Sequence, residues 1–156
     1  SLYTDSLREF YDKEFGATYM ANRTKAMSIL QEEAELQEIV RLVGQDALSP
    51  ADRMTMETAR MIREDFLQQN AFITEDAYSS YGKQYRLLDL VLQYDAKCRA
   101  ALEKGADLNA LFNIGSREAI GRAKMEPQET YEAEYDGILA KMQAEIDEAV
   151  RGGEEQ

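Results

Sequence analysis

The sequence contains no histidine and only one cysteine, Cys98, among its 156 residues. Without histidine, Ser-His-Asp and Cys-His catalytic groups and the Glu-x-x-His pairs of di-iron bundles are excluded. A single thiol can form neither an internal disulfide nor a zinc-thiolate site. No G-x-x-x-x-G-K-[ST] phosphate loop occurs, because Gly82-Lys83 is followed by Gln84. We therefore expect no catalytic residue and no metal site in this chain.

Positive charge is also scarce, and long apolar runs are absent. The chain has 30 acidic and 18 basic residues, which give a formal net charge of −12. Such a surface repels phosphate backbones and anionic membranes, so we expect neither nucleic-acid binding nor membrane association through charge. No segment is apolar over the length needed to cross a bilayer, so direct membrane insertion is not expected. The single cysteine fits a reducing cytoplasm.

Apolar residues recur at steps of three and four along most of the chain, and strand-like alternation is almost absent. This periodicity predicts an all-α fold, and the short connections predict a bundle of about five to six helices with mostly antiparallel neighbours. We expect residues 1–150 to form this bundle and residues 151–156 to form a frayed tail. The predicted helices run roughly over 3–15, 21–43, 50–69, 75–104 and 127–150, with one or two short helices within 107–124.

Two acidic patterns invite a functional interpretation that the residues do not support. Asp107–Glu118 has oxygen-bearing residues at calcium-loop positions one, three and twelve, but Phe112 stands where the loop requires glycine. The run Glu32–Glu35 could supply paired catalytic carboxylates, yet such a run is typical of a solvated helix face. We expect neither calcium binding nor carboxylate catalysis at these positions.

A helical hairpin is the most distinctive local prediction. Gly44 follows a helix and can adopt a left-handed C-cap, and Ser49 is a favourable N-cap for the next helix. Pro50 suits the first helical position, and Asp52 complements the positive end of the helix dipole. The spacing of the first helix of the hairpin predicts a buried stripe of Ala26, Ile29, Leu30, Leu36, Ile39, Val40 and Val43.

Three stretches carry a resemblance that goes beyond an ordinary hairpin: Leu30–Val40, Asp46–Arg53 and Arg63–Phe72. In this order and spacing they resemble the C-terminal domain of the catalytic A subunit of V-type and archaeal-type rotary ATPases. The opening Ser1–Ser6 also matches, and Gly115–Lys124 matches more loosely. The resemblance therefore covers nearly the whole chain.

The resemblance implies that the chain is a piece of a longer polypeptide, whose phosphate-loop domain precedes Ser1. That polypeptide would bind Mg-ATP or Mg-ADP, pair with the B subunit in an A/B hexamer and couple ATP hydrolysis or synthesis to proton or sodium transport. The assembly would lie in the cytoplasm, peripheral to the membrane. The isolated chain would be inactive. The alternative is a free-standing helical scaffold or adaptor, and a phosphate loop encoded upstream distinguishes the two.

The same resemblance assigns two groups of site residues. The hairpin turn resembles the acidic DELSEED stretch of the F-type beta subunit, which faces the central rotor stalk, but here Asp46 and Asp52 alone keep the charge. We therefore expect the shape and packing of the turn, rather than a dense negative charge, to transmit the movement of the domain to the rotor stalk. Phe72 matches an aromatic of the adenine pocket, with a simple core phenylalanine as the alternative. The rotor-facing residues are Gln45, Asp46, Ala47, Leu48, Ser49, Pro50, Ala51 and Asp52, and the adenine-pocket residues are Phe72, Gln69, Asn70 and Ala71.

Overall fold

The computed structural model describes residues 16–67 and 77–155. Within these ranges the chain forms six α-helices and no strand, which confirms the predicted all-α class. The predicted first helix, the break at residues 70–74 and the adenine-pocket residues 69–72 lie outside the described residues. The helices are α1 (Ala17–Val43), α2 (Pro50–Met61), α3 (Ala77–Glu103), α4 (Leu108–Phe112), α5 (Gly115–Arg122) and α6 (Tyr131–Glu154).

Three shorter helical segments lie between the α-helices. A 3₁₀ turn, Gln45–Ala47, joins α1 to α2, and a second 3₁₀ turn, Ala123–Met125, precedes α6. Between them, α2 continues directly into a π-helical segment, Ile62–Leu67. None of the described helices is both long enough and apolar enough to span a lipid bilayer.

The core forms around α3, which contacts α1, α2, α5 and α6. Because neighbours surround it, α3 buries residues on most of its circumference rather than on one stripe: Leu87, Leu88, Leu90, Val91, Tyr94, Cys98 and Ala101. The stripe predicted for α6 is confirmed, since Tyr131, Tyr135, Ile138, Met142 and Ile146 are all buried. Two buried tyrosine hydroxyls are satisfied by backbone carbonyls: Tyr94 donates to Leu111 at 2.9 Å, and Tyr135 donates to Ala123 at 2.8 Å.

The ends of α6 differ from the prediction. The helix begins at Tyr131 rather than at Pro127, because residues 127–130 form a turn in which the Thr130 amide donates to the Pro127 carbonyl at 3.1 Å. It continues to Glu154, so most of the predicted frayed tail, residues 151–156, is helical instead. Close packing explains this, since Gly153 lies against the Gly105 carbonyl and leaves no room there for a Cβ.

The buried stripe predicted for α1 is wrong in its last part. Ala26 and Ile29 are buried as predicted, but Ile39 is 42% exposed and Val43 is 68% exposed. The first half of α1 lies beside α3, where Asn22 Nδ2 is 3.5 Å from Asp89 Oδ1. The second half is one arm of a two-helix hairpin with α2, and among the described residues α2 covers one side of it and leaves the other exposed.

The interpretation of Glu32–Glu35 as a fully solvated face also needs correction. Glu33 is 6% exposed, and its carboxylate forms an ion pair with Arg63 of the π-helical segment. Its neighbours Glu32 and Glu35 are exposed as predicted. The acidic run therefore contributes one partly buried ion pair, which joins α1 to the π-helical segment that follows α2.

Candidate functional site

The turn of the α1–α2 hairpin is built as the sequence predicts. Gly44 ends α1 with φ +92°, a conformation that side chains with a Cβ rarely adopt, and its amide donates to the Val40 carbonyl at 2.8 Å. The Ser49 hydroxyl accepts from the Asp52 amide at 3.1 Å and caps α2, with Pro50 in the first helical position. Both ends of the turn are thus fixed by specific backbone contacts.

Within the turn, Leu48 is 7% exposed and points inward, whereas the other residues of the range 45–51 are exposed. Next to the turn, Leu42 is 70% exposed, and so the end of the hairpin shows large apolar side chains to solvent. We call this region the tip surface; it consists of Ile39, Leu42, Val43, Gln45, Asp46 and Ala47. Exposed apolar side chains grouped together are typical of an interaction site.

Charge on the tip surface is low for so acidic a molecule. Glu38 and Arg41 lie beside it and neutralise each other, with Arg41 Nη2 3.0 Å from Glu38 Oε1. The Arg41 guanidinium holds the pKa of Glu38 below its usual value. Asp46 is then the one formal charge among the residues of the tip surface. Contacts at this surface would depend mainly on apolar packing.

The hairpin is joined to the bundle by a buried polar cluster between α2 and α3. The Asp95 carboxylate, in a residue that is 2% exposed, accepts from the Thr58 hydroxyl at 2.7 Å and from Arg99 Nε at 3.0 Å. Arg99 Nη2 in turn donates to the Thr55 hydroxyl at 2.7 Å, and that hydroxyl donates to the Ala51 carbonyl at 3.2 Å. This chain of hydrogen bonds runs from the first turn of α2 into the core.

The opposite end of α2 is held by contacts to three other elements. Arg63 pairs with Glu33 of α1, and Arg117 of α5 donates to Glu57 at 2.7 Å. Lys124 donates to the Glu64 carbonyl at 3.0 Å from the 3₁₀ turn before α6. At a rise of 1.5 Å per residue, Glu57 lies about 10 Å along α2 from the turn, whereas Arg63 and Glu64 lie just beyond its end, about 18 Å from the turn.

Of the two groups of predicted site residues, the structure describes only the rotor-facing group. Gln45–Asp52 lie together at the end of the hairpin, whereas Gln69–Phe72 lie outside the described residues, which leave out 68–76. Sequence reasoning missed the polar cluster at Asp95 and the pairing of Glu33. The spacing of Asp95 and Arg99 by four residues was the available signal for the cluster.

No group of metal-binding side chains was found in the described ranges. There, no three Asp, Glu or Cys side chains are close enough to hold a metal ion. Asp107 and Glu118 of the calcium-like pattern have other contacts: Asp107 caps α4 by accepting from the Ala110 amide at 3.1 Å, and Glu118 pairs with Arg122 at 2.6 Å. Cys98 is buried, and burial raises the pKa of its thiol to about 12.

Fold and site together define an all-helical domain with a capped, firmly anchored hairpin that presents an apolar end to solvent. Comparison of the sequence with protein families gives a match over residues 8–110 to the C-terminal domain of V and A type ATP synthase. The matched range includes the whole hairpin. The chain therefore belongs to this family of C-terminal domains.

Curated relatives agree with the family. The chain is 45% identical over 149 residues to the A subunit of the A-type ATP synthase of Methanosphaera stadtmanae, covering 96% of this chain and 26% of the relative. It is 45% identical over 147 residues to the V-type ATP synthase alpha chain of Acetivibrio thermocellus, covering 94% and 25%. The V-type ATP synthase alpha chain of Clostridium botulinum is 44% identical over 153 residues, covering 98% and 26%. The chain thus spans about a quarter of the length of these relatives.

Proposed function

We propose that this chain couples movements of the catalytic subunit of a V/A-type rotary ATPase to the central rotor stalk. The tip surface is the part that contacts the rotor. One observation carries this proposal: the end of the hairpin exposes Leu42 and Val43, at 70% and 68%, on a scaffold that is fixed at both ends of its turn. Exposure of this kind contributes nothing to the core, so it is best explained by a partner.

The contacts of α2 make the hairpin suitable for transmitting a movement. The cluster around Asp95 holds α2 against α3, and the Arg63–Glu33 pair holds its continuation against α1. A domain swing at the far end would therefore displace the turn as part of a rigid body, as in hinge and shear movements of packed helices. A loosely attached loop would absorb the same displacement.

The contact with the rotor would be mainly apolar. Burying one large aliphatic side chain contributes about 1.5–3 kcal/mol, and Leu42, Val43 and Ile39 offer three such side chains. Exposed charge pairs contribute less and are screened by salt. We therefore expect coupling that changes little with ionic strength.

A segment replacement in the assembled enzyme tests the rotor contact. Replacing Gln45–Asp52 with a Gly/Ser linker should uncouple ATP hydrolysis from ion transport, while the affinity for nucleotide stays unchanged. The matched control replaces the turn at residues 127–130 in the same way and should leave both properties unchanged. If nucleotide affinity collapsed and coupling remained intact, the assignment to the rotor would be wrong.

The second part of the proposal concerns nucleotide. In the intact catalytic subunit, Phe72 would stack on the adenine of Mg-ATP or Mg-ADP, flanked by Gln69, Asn70 and Ala71, with the B subunit as the neighbour in the hexamer. The support is the family membership together with the resemblance at Arg63–Phe72. The share of the relatives that this chain covers is consistent with a separate phosphate-binding domain in the same polypeptide.

Truncation of Phe72 tests this pocket. Phe72→Ala should raise the KM for ATP by the equivalent of about 1–3 kcal/mol, the usual value for stacking on a base, with a smaller effect on kcat. The adenine is remote from the reacting phosphate, so ground state and transition state should lose equally. A core phenylalanine would behave differently: unfolding would become easier by roughly 3–5 kcal/mol, with no change in KM.

A further inference from the structure

A second cluster of charged side chains, in which Asp65 is buried and Arg117 and Glu57 are partly buried, lies where α2 passes into the π-helical segment. Arg117 of α5 donates from Nε at 3.0 Å and from Nη2 at 2.7 Å, and both bonds go to the same Oε1 atom of Glu57. Its third nitrogen, Nη1, lies 3.8 Å from Oδ2 of Asp65, which is beyond hydrogen-bond distance. One guanidinium thus faces two carboxylates and bonds only one of them.

The Asp65 carboxylate is incompletely hydrogen-bonded in this arrangement. The residue is 6% exposed, and Oδ2 has no hydrogen-bond partner in the part of the chain that the structure describes. Burial raises the pKa of Asp65, although the positive charges of Arg117 and Lys124 oppose the rise. A buried carboxylate without full hydrogen bonding costs stability, and an apolar or amide side chain would cost less. A buried charge that lacks full compensation is a departure from stable packing of the kind found at functional sites.

Only a small shift separates the unbonded carboxylate from the guanidinium. Closing the gap between Nη1 and Oδ2 to an ordinary charge-assisted hydrogen bond needs about 1 Å of movement. Gly121, one turn after Arg117, faces both sides of the gap without a side chain, and an added methyl group would be in ordinary van der Waals contact with each side. A methyl group there would lie 3.8 Å from Arg117 Nη1 and 3.9 Å from Asp65 Oδ1.

The two sides of the gap belong to different parts of the bundle. The start of α5 is tied to α6, because Glu145 accepts from the amides of Gly115 at 2.6 Å and Ser116 at 3.1 Å. Asp65 belongs to the continuation of α2. Because Glu57 and Asp65 both lie on α2 and its continuation, a backbone movement that closes the gap shifts α5, together with α6, along that helix.

We propose that Arg117 is a two-position switch that bonds Glu57 in the conformation described here and Asp65 in a second conformation of the domain. Transfer of the guanidinium would accompany the domain swing, and α2 would carry the displacement to the tip surface. Arg117 would act through the position of α2 and is in this sense a positioning residue. This inference rests on the proposed function, since it gives a mechanism for the same movement.

Two substitutions that keep side-chain size test the switch in the assembled enzyme. Glu57→Gln weakens the first position and should favour the second conformation, whereas Asp65→Asn should hold the first. The affinity for ATP should therefore shift in opposite directions, by about five-fold or more each, the lower end of typical coupling between sites. Shifts in the same direction, or no shift in either variant, would overturn the proposal.

The stability of this chain provides a second readout. Asp65→Asn should leave the midpoint of thermal unfolding unchanged or raise it, because it removes a costly buried charge. The matched control is Asp95→Asn, which disrupts a carboxylate with full hydrogen bonding and should lower the midpoint without shifting ATP affinity in the assembly. A fall for Asp65→Asn as large as that for Asp95→Asn would make the cluster purely structural and overturn the proposal.

The Gly/Ser variant of Gln45–Asp52 separates failure of the switch from failure of the proposed function. If that variant uncouples the enzyme but the affinity shifts of Glu57→Gln and Asp65→Asn are not opposite, the rotor contact stands and the switch is overturned. If that variant leaves the enzyme coupled, the rotor contact itself is wrong, and a switch that serves it is overturned as well. Uncoupling together with opposite affinity shifts supports both.

Discussion

Helices α1 and α3 are both 27 residues long, yet they use their apolar residues in different ways. Neighbouring helices surround α3, and Leu88 on it is completely buried. Within the described residues, the last turns of α1 pair with α2 in the hairpin, and Leu42 there is 70% exposed. The difference separates two uses of apolar surface: α3 stabilises the bundle, whereas the end of α1 is available to a partner.

The largest expected difference in the free energy of unfolding comes from truncating one leucine in α3 and one at the end of α1. Leu88→Ala should lower the free energy of unfolding by about 2–5 kcal/mol, because it removes buried contacts and leaves a cavity. Leu42→Ala should change it by less than about 0.5 kcal/mol, as is usual for exposed positions. Chemical denaturation of both variants measures the contrast. Equal losses would show that the tip surface belongs to the core.

A buried ion pair in the bundle and an exposed ion pair beside the tip surface should also differ in their contribution to stability, by a smaller amount. Arg99→Met leaves the Asp95 carboxylate buried without its charged partner and should cost about 3 kcal/mol of stability. Arg41→Met removes a pair in which both side chains are more than 60% exposed, and no measurable change is expected. Denaturation at low and high salt checks this prediction. A large loss for Arg41→Met would mean that the hairpin end is held by charge.

Two glycines give the smallest contrast. Gly44→Ala should destabilise the chain by about 1–2 kcal/mol, because its φ of +92° is unfavourable for a residue with a Cβ. Gly137 lies inside α6, and beyond the helix's own backbone no described atom would lie within 4 Å of an added methyl group, so Gly137→Ala should stabilise the chain by about 0.5–1 kcal/mol. Thermal unfolding compares them. A stabilising Gly44→Ala would mean that the turn does not need its left-handed residue.

Local features of the fold could be predicted from the sequence because their causes are local. The cap at Gly44 follows from its backbone conformation, and the cap at Ser49 follows from one hydrogen bond to a residue three positions away. The buried stripe of α6 follows from the helical period. Periodicity identifies an apolar face but does not show whether a neighbouring helix covers it. The prediction that Ile39 and Val43 are buried was wrong for this reason.

Features that depend on distant partners could not be predicted. Glu33 lies in an acidic run typical of a solvated face, and its partner Arg63 is 30 residues away. Arg117 and Glu57 are 60 residues apart, so their pairing leaves no local pattern. The residues of Ile62–Leu67 would also suit an α-helix, so their composition does not predict the π-helical conformation. The rotor-facing role of Gln45–Asp52 and the adenine-pocket role of Gln69–Phe72 stay predictions.

The central claim is that the tip surface serves a partner and not the stability of the bundle. The most direct test combines Leu42→Ser and Val43→Ser in one variant, with Met125→Ser as the control, because Met125 is 77% exposed but lies outside the hairpin. We predict that the double variant keeps the unfolding midpoint of the parent chain and, in the assembled enzyme, transports fewer ions per ATP hydrolysed, while the control changes neither. A lower midpoint with full coupling in the double variant would contradict the account.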